Sequence, residues 1–331
     1  MRVKALAALE IKNSLQEYEY ETDLLNPYDC IVKVETCGIC HSDIHMIDND
    51  WGISKYPLVP GHEVVGKIIQ LGTLVTHLAI GDRVGIGWQS GACLECDDCL
   101  RGNENLCSKT KSTIVRRHGG FADHLMLDSR FCFKIPENLE SAIASPLLCA
   151  GITVYSALRF AGMSSGGKIG VIGIGGLGHL AVQFASKLGN EVTVFTTSPD
   201  KEEFARQNGA KEVIIGTPKS VKNKLNIILN TTHVDMDWGR YLSFLQTDGT
   251  LSFVGVPPSP LSTVNVGQLM SKRLRVMGSP IGGRQMIRDM LEISANHGIK
   301  PLIEKFSFQN ANQAIEKVKS NKIRYRAVLV H

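Results

Sequence analysis

The chain has 331 residues, 43% of them hydrophobic and 21% charged, and its formal net charge at neutral pH is +4. The chain is longer than one typical domain, which favours two domains. The composition excludes extended disorder. The small charge and the lack of a Lys/Arg-rich cluster argue against a nucleic-acid partner. We expect neither a signal peptide nor a membrane anchor, because Glu10 and Lys12 interrupt the apolar N-terminus and no run reaches membrane-spanning length.

The chain contains nine cysteines. In a long chain without a signal peptide, such a count indicates metal binding or catalysis and not a disulfide framework. We therefore expect a reducing, cytoplasmic compartment.

Short apolar runs separated by Gly, Pro and Asp predict an irregular, mostly β domain in the first part of the chain, with strands at 31–34, 64–69 and 84–86. From about Thr153, strand-like and helix-like segments alternate, which predicts an α/β domain with a doubly wound parallel sheet. Its predicted strands are 169–172, 192–195, 212–215, 226–229 and 250–254, and its predicted helices are 177–188 and 201–208. The tail adds a predicted helix at 309–319 and a strand at 327–330.

Potential metal ligands occur at three separated places in the first half of the chain. Cys40 lies in the segment 37–45, His62 and Glu63 are adjacent, and Cys149 follows later. Two thiolates and an imidazole would hold Zn²⁺ with a fourth position open, which is the arrangement of a catalytic zinc site. Two alternatives stay open, because a lone buried cysteine is often a small core residue and Cys37 with Cys40 also forms a C-x-x-C redox pattern.

A second set of cysteines is compact. Cys93, Cys96, Cys99 and Cys107 have the spacing C-x2-C-x2-C-x7-C. Four thiolates at this range can close a tetrahedron around one Zn²⁺ and leave no position for substrate, so we predict a structural zinc site. An iron–sulfur cluster is the main alternative, and unligated cysteines are a weaker one.

A glycine-rich turn lies between a predicted strand and a predicted helix. It contains Gly173, Gly175, Gly176, Leu177 and Gly178. The pattern G-x-G-x-x-G in this context predicts a dinucleotide whose pyrophosphate lies at the helix N-terminus, whereas an isolated match would be only a tight turn.

The end of the next predicted strand bears on the choice of dinucleotide. An NAD-specific site would carry an acid there, but the chain has Thr196, Thr197 and Ser198, followed by Lys201. Hydroxyl groups and a cation favour the 2′-phosphate of NADP(H). The alternative is that these residues only form a loop and cap the next helix.

Together these residues resemble the zinc-dependent medium-chain alcohol dehydrogenases, and within them the cinnamyl alcohol dehydrogenase-like group with its bacterial NADPH-dependent aldehyde reductases. The resemblance covers nearly the whole chain. It rests on the segments CGICHSDIH (37–45), YPLVPGHEVVG (56–66), the four-cysteine lobe, PLLCAGITVYSAL (146–158), VIGIGGLGH (171–179) and RYRAVLV (324–330).

The resemblance implies a role for each site residue. Cys40, His62 and Cys149 are then the catalytic zinc ligands, and Glu63 is the adjacent carboxylate that can bind the metal when water or substrate leaves. Cys37 is a neighbour and not a ligand. Asp43 orients His62, and Ser42 with His45 forms a proton relay. The cofactor is contacted by Thr153 and by one of Arg324 and Arg326, and the substrate pocket is lined by Trp51, Ile53, Trp88, Pro280 and Ile281.

It also implies a GroES-like, mostly β catalytic domain at 1–149 and 284–331 that encloses a Rossmann domain at 150–283, in a homodimer. The expected reaction is hydride transfer between NADP(H) and an aldehyde/primary alcohol pair, with one catalytic and one structural zinc ion per chain. The segment 108–118 is shorter than in the plant lignin-pathway enzymes, so a cinnamyl substrate does not carry over. Alternatives are a quinone or enone reductase of the same superfamily and a non-enzymatic zinc-binding interaction module.

Overall fold

The computed structural model describes all 331 residues and divides them into two compact units. The first unit comprises Met1–Cys149 and Gly283–His331, and the second comprises Ala150–Gly282. The second unit is therefore an insertion in the sequence of the first.

The first segment of the first unit consists of nine strands and three helices. They are β1 Arg2–Ala7, β2 Gln16–Glu21, β3 Asp29–Ile39, α1 His41–Asp48, β4 Glu63–Leu71, β5 Arg83–Ile86, β6 Gln89–Gly91, α2 Asp97–Leu100, β7 Lys111–Ser112, β8 His124–Asp128, β9 Phe133–Lys134 and α3 Ser141–Pro146.

The second unit alternates strands and helices. Its elements are α4 Ile152–Phe160, β10 Lys168–Ile172, α5 Gly178–Lys187, β11 Glu191–Thr196, α6 Glu202–Gln207, β12 Ala210–Ile215, β13 Leu225–Asn230, α7 Trp238–Phe244, β14 Leu245–Phe253, α8 Val266–Lys272 and β15 Arg275–Gly278. The chain then returns to the first unit with α9 Arg284–His297, β16 Ile303–Ser307, α10 Ala311–Lys319 and β17 Arg326–Val330.

The first unit is built around the long strand β3. It pairs antiparallel with β4, β8 and β17 in a sheet of order β16-β17-β3-β4-β5-β9. Burial alternates in the middle of β3, where Val32, Val34 and Thr36 are buried and the residues between them are not, which is the period of a strand with one face on a core. Residues 36–39, next to the later site, are all buried. Gly66 of β4 lets this strand approach closely, because a Cβ there would lie 2.2 Å from the Lys33 carbonyl oxygen. The prediction of an irregular, mostly β domain is confirmed.

The second unit is a six-stranded parallel sheet of order β12-β11-β10-β13-β14-β15. This is the doubly wound order in which the strand sequence reverses beside the first strand, here β10. Its strands are apolar on both faces because helices cover both, as in β10, where Ile169, Val171 and Ile172 are buried. The predicted Rossmann sheet is confirmed.

The longest regular α-helix, α9, was not predicted from the sequence. Its buried residues Ile287, Met290, Leu291 and Ser294 have helical spacing, and Gly298 ends it with a left-handed φ of 61°. Both the apolar spacing and the glycine at the helix end are present in the sequence.

A continuous helical segment, Ser141–Phe160, is long and apolar enough to cross a membrane by length and composition alone. However, 83% of its apolar window is buried within the protein, so packing accounts for its hydrophobicity. Its middle, Leu147–Gly151, is a π-helical turn that begins directly after Pro146. Proline has no N–H to donate to the carbonyl group four residues earlier, so it interrupts the regular α-helical hydrogen bonds. Short π-helical turns are frequent at functional sites.

Candidate zinc and cofactor sites

Four separated residues meet at one edge of the first unit. Cys40 follows β3 and caps α1, His62 and Glu63 begin β4, and Cys149 lies in the π-helical turn. Their potential ligand atoms all lie within 4.8 Å of one another. Antiparallel pairing of β3 with β4 places Gly38 opposite Glu63, and therefore brings the end of one strand to the start of the other.

The distances in this set fit a zinc ion. The Sγ atoms of Cys40 and Cys149 are 3.9 Å apart. A tetrahedron with zinc–sulfur bonds of about 2.3 Å requires about 3.8 Å between two thiolates. The Nε2 atom of His62 is buried and has no hydrogen-bond partner. Such an orphan is rare in a protein interior, and a metal ion would satisfy it.

A buried carboxylate orients the set. Asp43 is fully buried, and its Oδ1 accepts hydrogen bonds from His62 Nδ1 at 2.9 Å and from the Gly61 amide at 2.8 Å. Its Oδ2 accepts from the Cys40 amide at 2.9 Å. A proton on Nδ1 leaves Nε2 as the free lone pair, which is the tautomer a metal needs. The geometry thus places Asp43 where the resemblance implies it.

Glu63 is held by a partner that the sequence did not predict. Its Oε1 accepts from Arg326, both side chains are buried, and its Oε2 has no partner. Burial raises the pKa of Glu63 to about 7, against the opposing effect of the Arg326 cation. Gly38 makes room for this carboxylate, because a Cβ there would lie 1.9 Å from Oε2. The resemblance offered Arg326 only as a cofactor contact.

The two thiols of the set differ in acidity. The hydrogen bond from Cys149 lowers the pKa of Cys40 well below the ordinary thiol value. A thiolate at Cys40 is the form that binds metal. Cys37 does not belong to the set of ligand atoms that lie within 4.8 Å of one another, and its Sγ donates instead to the Gly38 carbonyl oxygen at 3.6 Å.

Ser42 and His45 lie on helix α1 beside this set. The Ser42 Oγ is 3.7 Å from the Cys40 Sγ, and His45, three residues on, shares the helix face with Ser42. The His45 Nδ1 is 2.7 Å from Asp50 Oδ2, a contact that the sequence did not predict. About 40% of the His45 side chain is exposed, so the ring can exchange protons with solvent.

Two tryptophan rings lie between the rings of His45 and His62. The ring of Trp51 lies 5.3 Å from that of His45 and 6.0 Å, edge to face, from that of Trp88. Trp88 in turn lies 5.0 Å from the His62 ring. Trp51 and Ile53 are 44% and 41% exposed, so they are not core residues. The substrate pocket stays a prediction, because its predicted residue Ile281 belongs to the second unit while this aromatic surface belongs to the first.

The four lobe cysteines converge in the same unit, with their sulfur atoms within 4.8 Å of one another. The Cys93 Sγ is 3.8 Å from that of Cys99 and 3.5 Å from that of Cys107. Backbone N–H groups, first that of Glu95, lower the pKa of Cys93 to about 6. These distances fit a closed tetrahedral zinc site.

A buried glutamate connects the lobe to helix α9. Glu104 is 3% exposed, and it accepts from the Arg284 Nε at 2.7 Å and from the Arg284 amide at 3.0 Å. Its own carbonyl oxygen accepts from Gln89 at 2.6 Å. Gly283 makes this approach possible, since a Cβ there would lie 1.9 Å from the Gly102 carbonyl oxygen.

The glycine turn of the second unit has the predicted form. It joins β10 to α5, and Gly173 has a φ of +86°, which side-chain-bearing residues rarely adopt. A Cβ on Gly178 would lie 2.1 Å from the Gly173 carbonyl oxygen, whereas no atom lies within 4 Å of a Cβ built on Gly175. Gly175 therefore leaves open space at the start of the helix, where a pyrophosphate could approach.

The end of strand β11 presents fewer free hydroxyls than its sequence suggests. Thr196 is 7% exposed and its Oγ1 accepts from the Ser198 amide at 3.1 Å, so it stabilises the turn. Thr197 is exposed, and Ser198 and Lys201 are half-buried at the turn before α6. No carboxylate occupies the end of the strand. Thr153 is half-buried on α4, and Arg324 is exposed near the C-terminus.

Comparisons with known proteins agree with this geometry. The family described as alcohol dehydrogenase GroES-like domain matches residues 26–137, and the family described as zinc-binding dehydrogenase matches residues 176–296. Aldehyde reductase AdhA of Synechocystis sp. is 43% identical over 333 residues, which cover 99% of each chain. The chain belongs to the zinc-dependent alcohol dehydrogenase family.

Solved structures of zinc-dependent alcohol dehydrogenases share the fold. Cinnamyl alcohol dehydrogenase SbCAD4 of Sorghum bicolor superimposes with a TM-score of 0.92 at 34% identity, covering 100% of this chain and 98% of that one. The Helicobacter pylori cinnamyl alcohol dehydrogenase, solved with NADP(H), gives a TM-score of 0.91 at 31% identity with the same coverage. An interaction module would explain the lobe but not the second donor set or the dinucleotide turn.

Proposed function

We propose that this member of the zinc-dependent alcohol dehydrogenases is an NADP(H)-dependent aldehyde reductase. The observation that carries the proposal is the donor set Cys40, His62 and Cys149, in which the adjacent Glu63 is held by Arg326. Three protein ligands with the carboxylate turned to a cation leave a fourth position for a substrate oxygen. A zinc ion held there would act as a Lewis acid toward a carbonyl group.

The residues of the chain would supply the proton. Ser42 lies 3.7 Å from the Cys40 Sγ and on the same helix face as His45, and His45 is exposed enough to exchange protons with solvent. Asp50 holds the His45 Nδ1, which leaves Nε2 to receive or deliver a proton. Hydride would come from the nicotinamide, and the family's reversible chemistry allows either direction.

The preference for NADP(H) rests on the strand end of β11. Thr197, Ser198 and Lys201 would contact the 2′-phosphate, and Arg324 would contact the cofactor from the tail, while Gly173–Gly178 would hold the pyrophosphate. The absence of an acid removes the group that would repel this phosphate. The H. pylori relative with bound NADP(H) supports the same choice.

The substrate class follows from the aromatic surface and the relatives. Trp51, Trp88 and Ile53 offer apolar contacts next to the donor set, and the Synechocystis relative is named an aldehyde reductase. We propose broad aliphatic or aromatic aldehydes, with reduction as the physiological direction.

We also propose a cytoplasmic homodimer. Strand β15 lies at the edge of its sheet, and the same unit exposes Val256, Val266 and Met270 at 81%, 66% and 75%. Unpaired strand edges and exposed apolar side chains favour association. Light scattering coupled to size-exclusion chromatography should give twice the chain mass, and a monomer would contradict the dimer.

Cofactor preference tests the proposal. Each charge-assisted contact to the 2′-phosphate is worth about 1.5–3 kcal/mol, so kcat/KM should favour NADPH over NADH by roughly tenfold to a hundredfold. Thr197→Asp should erase or reverse this preference, because a carboxylate repels the phosphate and binds the ribose hydroxyls of NADH. Thr247→Asp is the matched control, since Thr247 is exposed at the amino end of β14, away from the cofactor edge of the sheet. Equal kcat/KM values in the unmodified enzyme would overturn the NADP(H) assignment.

A further inference from the structure

A polar cavity of about 680 Å³ lies within the first unit. Its walls come from the end of β2 and the turn that follows, from β6 and β7, and from the end of the short segment 108–118. None of its lining residues belongs to either cysteine set, so the proposed reaction makes no use of it.

Four cations without an ion-pair partner line this cavity. They are Lys55, Lys111, Arg116 and Arg117, and only Arg117 uses its guanidinium, donating to the Met126 carbonyl oxygen at 3.3 Å. Two adjacent arginines present planar N–H groups of the kind that bind carboxylate or phosphate in pairs.

The carboxylates of the cavity are partly neutralised. Asp128 accepts from the Arg130 Nε at 2.9 Å and from its Nη2 at 2.6 Å, which closes a two-point ion pair. Asp29 accepts from the Asn26 amide nitrogen atoms of backbone and side chain. Asn26 is neutral, so Asp29 remains without a cation, as do Glu21 and Asp23. Unpaired cations therefore outnumber unpaired carboxylates by four to three, and the open charge of the cavity is positive.

The segment that carries the arginines is fixed at both ends. Thr113 donates to the Gly87 carbonyl oxygen at 2.6 Å, and the His118 ring lies 4.1 Å from the Tyr20 ring. Between them, Arg116 has a φ of +57°, a left-handed conformation that is uncommon for a residue with a side chain. Uncommon backbone conformations that the surroundings impose cluster at ligand sites.

We propose that this cavity binds a small dianion, either a phosphate group or a dicarboxylate, through Arg116 and Arg117, with Lys55 and Lys111 adding to the positive potential. The anion would give both guanidinium groups a charged acceptor, and the excess of positive charge among the unpaired groups would favour its binding. Its binding is separate from the aldehyde reductase reaction, because no proposed catalytic or cofactor residue lines the cavity.

Isothermal titration calorimetry on the zinc-loaded, full-length protein tests this site. The protein is first saturated with NADPH to occupy the dinucleotide turn, and is then titrated at low ionic strength with inorganic phosphate or with succinate. One of the two probes should bind with one-to-one stoichiometry, and the comparison tells phosphate from dicarboxylate. Added KCl should weaken the binding by screening.

Two variants assign the binding to the cavity. The double change Arg116→Gly with Arg117→Gln should raise Kd at least about tenfold, since each removes a charge-assisted hydrogen-bond donor. Arg101→Gln, at an exposed arginine outside the cavity, should leave Kd within about twofold, since surface changes away from a site have small effects. If the double variant fails to fold, Arg116→Gly alone decides, because glycine accepts the left-handed φ. No saturable binding of either probe, or unchanged affinity in a folded variant, would overturn the proposal.

Discussion

Cys93, Cys96, Cys99 and Cys107 lie within the fifteen residues 93–107, whereas Cys40, His62 and Cys149 are spread over the 110 residues 40–149 and meet only in the folded unit. The lobe consists of thiols alone, with backbone N–H groups around them. The dispersed set is mixed and is surrounded by buried polar groups, among them Asp43 and the Glu63–Arg326 pair.

This difference in ligand type and surroundings distinguishes a structural zinc site from a catalytic one. A closed set of four thiolates fills every position on a zinc ion and adds folding energy, so it stabilises structure. A set with three ligands and an orienting carboxylate keeps one position free and fixes the tautomer of its histidine, so it can serve chemistry. The predictions below test this separation, from the largest expected effect to the smallest.

Cys149→Ala should lower kcat/KM for aldehyde reduction by at least about 10³-fold, because loss of a ligand removes a metal worth several kcal/mol of transition-state stabilisation. The fold should persist, because the change leaves the lobe intact. Cys37→Ala is the matched control, a buried thiol in the same unit outside the donor set, and it should retain zinc and activity. Full activity in Cys149→Ala would show that Cys149 is not a ligand.

Asp43→Asn should weaken binding of one zinc ion by roughly 10- to 100-fold, measured by competition with a chelator, since it removes the acceptor that orients His62. The other zinc ion should be unaffected. Asp48→Asn, on the same helix and paired with Lys319, should change neither affinity. Equal weakening of both zinc ions by Asp43→Asn would mean that the change acts through global stability.

Glu104→Gln should lower the free energy of unfolding by about 1–3 kcal/mol, because it breaks a buried charge-assisted contact to Arg284. Although burial opposes it, hydrogen bonding from Arg284 lowers the pKa of Glu104. A carboxyl group with a lowered folded-state pKa stabilises above its unfolded pKa and loses that contribution as pH falls, so the difference between wild type and variant should shrink below about pH 4.

Urea unfolding at several pH values measures the difference in the free energy of unfolding between the wild type and Glu104→Gln. Glu95→Gln is the matched control in the same lobe, since the Glu95–Lys109 pair is mostly exposed and worth little. Turnover per folded molecule should stay unchanged in Glu104→Gln, because Glu104 touches the lobe and α9 and not the dispersed set. A constant difference across pH would show that packing and not charge accounts for the loss.

Features encoded by local spacing were predictable from the sequence. The lobe cysteines and the turn Gly173–Gly178 depend on neighbours within about twenty residues, and their positions in the structure fit the predicted sites. Thr196 shows the limit of local reasoning, because its hydroxyl group is already used inside the turn.

Contacts made by topology were not predictable from one sequence. Arg326 reaches Glu63 because β17 pairs with β3 and β3 pairs with β4, so two residues 263 positions apart become neighbours. Glu104 and Arg284 also lie far apart in the sequence, because the whole second unit is inserted between them. Neither pairing leaves a spacing pattern. The residue types alone suggested the dispersed donor set but left alternatives open, and the family resemblance was needed to assign its ligands.

Metal content measured by mass spectrometry on the purified, dialysed chain tests the central claim, that the two donor sets hold two zinc ions with different jobs. We predict two zinc ions per chain in the wild type and one in Cys149→Ala, with the fold retained and turnover lost. Cys96→Ser should also retain one zinc ion, but with lowered stability. A fully active wild-type enzyme with a single zinc ion per chain would contradict the account.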